Sequence, residues 1–147
     1  MLSKSTQYSI RALVYIQLKN RENKRPGVPE IAREIEAPVA FTAKILHTLT
    51  THQLLHSMKG RGGGFYFPNY RSNLSLYDVI MVMEGDRLFT SCGFGLKHCD
   101  DAHPCPLHEQ YAKIRDDLLQ LAVSETIGSL ALKIQEGRAI LNQQPLI

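Results

Sequence analysis

The chain has 147 residues, 44% of them hydrophobic and 21% charged, which fits one compact domain or a small domain with an appendage. No apolar run reaches the length of a membrane span, the first six residues carry no secretory signal pattern, and three cysteines cannot make a paired disulfide framework. These features argue against membrane and secreted classes, and a cytoplasmic protein is expected. The net charge of +3 hides an asymmetry: residues 1–75 carry 11 Lys/Arg against 4 Asp/Glu, and residues 76–147 carry 6 against 10. A basic front half suits DNA phosphates, although a solvated basic face would look the same.

Residues 8–18 hold many apolar side chains and no Gly or Pro, and they predict a largely buried first helix. Residues 20–27 are polar, end in Pro26-Gly27 and form a loop. Val28, Ile31, Ala32 and Ile35 then recur at i, i+3, i+4 and i+7. That spacing predicts a short amphipathic helix, with Pro29 tolerated in its first turn. Pro38 breaks it. A third helix follows, with Phe41, Ile45, Leu46 and Leu49 inward and Thr42, Lys44, His47 and Thr48 on the polar face. Two helices around a tight break are a helix-turn-helix, in which the second helix reads the major groove. An ordinary helical hairpin has the same pattern.

The next segment favours the DNA reading. Residues 54–58 and 65–67 predict two strands, joined by Lys59-Gly60-Arg61-Gly62-Gly63-Gly64. Glycines allow the positive-φ backbone of a hairpin tip. Lys59 and Arg61 put cations on that tip, as in a wing that enters a minor groove. A phosphate-cradling glycine loop fits poorly, because no Lys-Ser/Thr and no helix follow.

Ser75 through Asp78 reads as a capping box, opening a helix that runs to about Glu84 and ends at Gly85. Residues 86–105 look irregular. Pro106 suits the first turn of a long helix, with Cys105 as its N-cap. Along that helix Leu107, Tyr111, Ile114, Leu118 and Leu121 are spaced 4, 3, 4 and 3 apart. This heptad-like stripe predicts pairing with a second copy; packing within the chain is the alternative. A last short helix is expected to reach about Glu136, followed by a mobile tail at 142–145. The fold expected is mainly α: a winged helix-turn-helix with a small β-hairpin wing and a long C-terminal dimerisation helix. Residues 1–85 would bind DNA, residues 86–105 form a cysteine-rich loop, and residues 106–147 supply the dimerisation helix and tail.

Every thiol of the chain lies in that loop: Cys92, Cys99 and Cys105, with His108 three residues further on. Thiolates are soft ligands for Fe–S clusters, zinc and Cu(I). A [2Fe–2S] cluster needs four protein ligands, two per iron, and His108 is the best candidate for the fourth. His98 and His103 read as exposed loop residues. A Cys3His zinc site is the nearest rival, and free-thiol redox chemistry is a third reading. Catalysis by a Cys–His pair has no oxyanion hole or substrate pocket to support it.

Taken together, these parts resemble the Rrf-two family of bacterial winged-helix regulators. The resemblance runs over about residues 1–135. Its marks are Tyr8-Ser9-Ile10-Arg11-Ala12-Leu13, Val28-Pro29-Glu30-Ile31-Ala32, Lys44-Ile45-Leu46, Gly60-Arg61-Gly62-Gly63-Gly64-Phe65 and the cysteine trio. That family includes the iron–sulfur cluster regulator and the nitrite-sensitive, nitric-oxide-sensing repressor. The resemblance implies a homodimer with two winged heads on a double-stranded DNA operator. It also implies an iron–sulfur cluster, [2Fe–2S] favoured and [4Fe–4S] possible, held by residues matching Cys92, Cys99, Cys105 and His108. Some nitric-oxide sensors instead take a carboxylate from the partner's first helix; Gln7 stands nearest that position here, which closes the route. Ala43 occupies the place of an acidic residue in the cluster regulator's recognition helix, so that regulator's two-class promoter logic is not carried over. The sequence thus predicts a transcription regulator of repressor type and no enzymatic activity.

Overall fold

The computed structural model of the chain describes residues 1–70 and 72–143. Helix α1 spans Lys4–Arg21 and starts at Ser3, whose hydroxyl accepts the Thr6 N–H. It outruns the predicted stretch at both ends. Ser3 supplies a cap upstream, and Lys19 and Arg21 complement the negative end of the helix dipole downstream. Ala12, Leu13 and Ile16 are fully buried, so α1 is the element around which the rest of the head packs.

Helix α2 covers Val28–Glu34 with Pro29 in its first turn, and α3 covers Val39–Thr51 behind Pro38. Between them Glu36 adopts a left-handed conformation, φ 57°, which makes the sharp turn of the helix pair. Strands β1 (His56–Met58) and β2 (Gly64–Tyr66) pair antiparallel, with His56 opposite Tyr66 and Met58 opposite Gly64. They are shorter than the sequence pattern suggested, because Leu55 and Phe67 at their ends turn into the core. Gly64 has φ 145°, and a Cβ there would lie 2.2 Å from the Arg25 carbonyl oxygen. No other residue fits at that point of the wing.

Two side chains of the head fasten the wing. The Asn20 side chain accepts the Phe67 N–H at 2.9 Å and donates to the Lys24 carbonyl at 2.9 Å. The Arg25 guanidinium lies over the Tyr66 ring at 4.4 Å and donates to the Tyr70 hydroxyl. A cation on an aromatic face contributes about 0.5–1 kcal/mol at an exposed site.

Helix α4 (Leu76–Met83) opens with the expected capping box, Ser75 and Asp78 each bonding the other's backbone N–H. A short helix α5 (Arg87–Thr90) follows, where the sequence suggested irregular chain. Helix α6 covers His108–Ser124 and α7 covers Ile127–Gln135. The start of α6 differs from expectation. Pro106 and Leu107 form a turn ahead of it, so Leu107 and not Cys105 is the N-cap. Helix α7 begins with a capping box of Thr126 and Ser129 and buries Ile127 and Ala131 in the cluster built on α1. The Asn142 side chain donates to the Glu34 carbonyl at 2.8 Å and the Gln143 N–H to the Glu36 carboxylate, so these two residues meet the end of α2 and the turn after it. Residues 144 and 145 of the expected tail lie outside the described residues. No described helix is long and apolar enough to cross a membrane.

Candidate DNA interface and thiol centre

Lys44 and His47 on α3 and Lys59 and Arg61 on the wing are exposed, and Thr48 is half-buried. Helix and wing thus present cations and polar groups to solvent. Thr42 does not belong to this surface. It is fully buried and its hydroxyl donates to the Pro38 carbonyl at 2.9 Å. The reason is helical spacing: residue 42 shares the inward face with Ile45, Leu46 and Leu49, all buried. Phe41, expected inward, is half-buried, its ring edge-on to Tyr8 at 5.6 Å.

The loop after α5 gathers all three thiols near the start of α6. The sulfurs of Cys92 and Cys105 lie 3.5 Å apart, and the Cys99 sulfur lies 3.4 Å from His108 Nδ1. One turn links the pairs, with the His108 N–H donating to the Cys105 carbonyl at 3.1 Å. Two sulfurs at ~2.3 Å from one tetrahedral metal stand about 3.8 Å apart, and a sulfur and an imidazole nitrogen about 3.6 Å. Each pair therefore has the spacing of two donors on one metal. Among the described residues, no three His, Cys, Asp or Glu side chains converge on a single point able to hold one ion.

His108 Nε2 lies 2.6 Å from an Asp101 carboxylate oxygen. A ligating histidine commonly donates its second ring N–H to a carboxylate in this way, which leaves the other nitrogen free to bind. The Cys92 thiol is held below its ordinary pKa by the Leu96 N–H first. Burial opposes this, and the Phe94 and Gly95 N–H groups and the Cys105 side chain reinforce it. That cradle suits a thiolate. His103 pairs with Asp100 at 3.2 Å on the surface, and His98 is exposed.

Sequence reasoning missed Arg115. Its Nη1 donates to the Cys99 sulfur at 3.1 Å and to the Thr90 and Ser91 carbonyls at 3.0 and 2.9 Å. One guanidinium thus ties the thiol loop, the end of α5 and the body of α6. Its signal was available: Arg115 stands seven residues after His108, two turns along the same helix face. Gly93 was missed too. A Cβ there would lie 2.5 Å from the Tyr111 ring, so the loop lies directly on α6.

Of the predicted stripe, Leu107, Ile114 and Leu121 are 44%, 55% and 53% exposed, while Tyr111 and Leu118 are half-buried. Only Ala122 of α6 is buried. The intramolecular alternative therefore covers part of the stripe and leaves every seventh residue open.

The family model "Rrf2: Iron-dependent Transcriptional regulator" matches residues 2–133. The chain is 31% identical to "Protein aau3" of Rhizobium meliloti over 130 residues, covering 88% of this chain and 83% of that one. It is 28% identical to the HTH-type transcriptional regulator NsrR of Oceanobacillus iheyensis, covering 95% of each. In fold it is similar to CymR, described as the global cysteine regulator of B. subtilis, with a TM-score of 0.73 at 20% identity, covering 90% of this chain and 96% of that one. With a winged helix-turn-helix head and a family match over nearly its whole length, the chain belongs to the Rrf2 family, and it is a DNA-binding transcription regulator rather than an enzyme.

Proposed function

We propose that the chain is a homodimeric repressor whose affinity for its operator is set by an iron–sulfur cluster on Cys92, Cys99, Cys105 and His108. The observation that carries this reading is the division of four donors into two pairs, each spaced for one metal. A [2Fe–2S] cluster takes two ligands on each iron, whereas a single structural zinc needs all four donors around one point. When bound, such a cluster supplies redox and nitrosylation chemistry.

The protein's own part is transmission. Arg115 holds the Cys99 sulfur against the end of α5, and the Tyr111 ring lies on Gly93. Any displacement of Cys99 is thereby delivered to α5 and α6. With Leu107, Tyr111, Ile114, Leu118 and Leu121 as the seam between two copies, a shift of α6 changes the spacing of the two heads. Half-site spacing is a geometric requirement of a two-headed reader, so DNA affinity changes with it. Lys44, His47 and Thr48 contact the major groove, and Lys59 and Arg61 reach the minor groove or its phosphates.

The test is an anaerobic absorption spectrum of freshly purified protein with iron, sulfide and zinc counted per chain. Visible charge-transfer bands with stoichiometric iron and sulfide, lost in Cys92→Ser, Cys99→Ser and Cys105→Ser, are expected. Zinc at one per chain and no colour after reconstitution would overturn the reading. A cluster-free sensor of thiol state is the second reading, favoured by the 3.5 Å approach of two sulfurs.

A further inference from the structure

The three thiols are not equivalent in the metal-free chain. The Cys99 sulfur has nitrogen partners and no sulfur partner to close on: it sits between His108 Nδ1 at 3.4 Å and Arg115 Nη1 at 3.1 Å. The sulfurs of Cys92 and Cys105 face each other at 3.5 Å, and no disulfide joins them. A disulfide needs about 2.05 Å, so closure takes an approach of roughly 1.5 Å. The intervening segment can supply it. Residues 91–107 carry no helix or strand, and Gly95 (φ 90°) marks a turn just after Cys92. All three cysteines are partly exposed, so a small oxidant can reach them.

We infer that Cys92 and Cys105 form a dithiol that a hydroperoxide closes to an intramolecular disulfide when the site holds no metal, while Cys99 stays reduced. One sulfur of the pair, as thiolate, attacks the peroxide oxygen. The O–O bond breaks, the alcohol or water leaves, and that sulfur becomes a sulfenic acid. The second thiolate attacks the sulfenic sulfur and displaces hydroxide, which leaves as water. Two thiols and one hydroperoxide give one disulfide, one alcohol (or water) and one water. The two electrons lost by the sulfur pair reduce the O–O bond.

The inference goes beyond the cluster reading, since the dithiol exists whether or not a cluster forms. Where that reading holds, closure also has a consequence. Two of the four donors are consumed, so the oxidised chain cannot load iron until a thiol reductant reopens it. The device then separates a reloadable metal-free form from one locked out by peroxide.

The experiment uses full-length protein, freed of metal anaerobically and treated with one equivalent of hydrogen peroxide. The free-thiol count should fall from three to one, and the intact mass should drop by about 2 Da, two hydrogens lost. Peptide mapping should link Cys92 to Cys105 and leave Cys99 alkylatable. Cys99→Ser should form the same link with no thiol remaining. Cys92→Ser should yield no internal disulfide. A link that includes Cys99, a disulfide between chains, or stable oxygen adducts without any link would overturn the proposal. Iron and sulfide counted after reconstitution of the reduced protein keep the two ideas apart. Failure to build a cluster sinks the cluster reading alone, and a cluster in a protein that forms no disulfide sinks this one alone.

Discussion

Replacing Ile114 by alanine tests the seam on α6. The substitution removes three methylene-sized groups, each contributing ~0.8 kcal/mol when fully buried. Ile114 keeps 55% of its surface exposed in the single chain, so about half of that contribution is left for a second copy to cover. This amounts to roughly 1.3 kcal/mol per copy, and a two-fold interface loses it twice, giving about 2.5 kcal/mol per dimer. At 1.4 kcal/mol per tenfold change, the dimer dissociation constant should rise roughly 60-fold. The other half is covered within the chain, so the monomer loses about 1.1 kcal/mol, offset in part by roughly 0.4 kcal/mol of better helix propensity, and it should unfold only a few degrees lower. Sedimentation equilibrium over a dilution series reads the constant directly. A change smaller than about threefold would refute the assignment of residues 107, 114 and 121 to the seam.

Lys59→Ala and Arg61→Ala should each lower the slope of log K against log salt by about 1 unit, read by fluorescence anisotropy on one operator; an unchanged slope would remove the wing tip from the interface. Thr42→Val should cost about 1 kcal/mol of stability by deleting the hydrogen bond to Pro38, and leave operator affinity unaltered; loss of affinity at unchanged stability would restore Thr42 to the DNA surface. Glu84 supplies a pH dependence. Burial alone would raise its pKa, but hydrogen bonds from the Thr6 hydroxyl and the Ser3 N–H, with the chain's amino terminus nearby, hold it below the usual glutamate value. A depressed folded-state pKa adds stability above the unfolded value and loses it as pH falls through the folded one. Glu84→Gln should therefore melt earlier than the parent at neutral pH, and the gap should close in acid; a gap independent of pH would contradict this.

The head was legible because its signals are local. The period of residues 28–35, the break at Pro38, the glycines of the wing and the capping box at Ser75 each constrain their own backbone, and the structure follows them. The recognition helix was legible in extent but not in every face. Thr42 is polar by type and buried by position, because its hydroxyl is satisfied one turn back by the Pro38 carbonyl. A sequence cannot show that partner. The thiol loop was legible as a cluster of sulfurs ahead of His108, and the structure brings these four side chains together in two pairs. What held it was not. Arg115, Asp101 and Gly93 act through contacts with residues 7 to 25 positions away, and of the three only Arg115, two turns past His108, lies on a helix face that the sequence marks. Helix α5 was missed because its four residues are too few for any hydrophobic period to register.

Binding of one operator by the anaerobic cluster-loaded protein and by the same preparation after metal removal, at one fixed salt concentration and with the dimer confirmed in both, addresses the central claim most directly. A difference of at least tenfold in the dissociation constant is expected, diminished in Arg115→Met while iron and sulfide per chain stay the same. Equal affinity with and without the cluster would contradict it, and would leave the thiols of residues 92–105 without control over DNA binding by way of a metal.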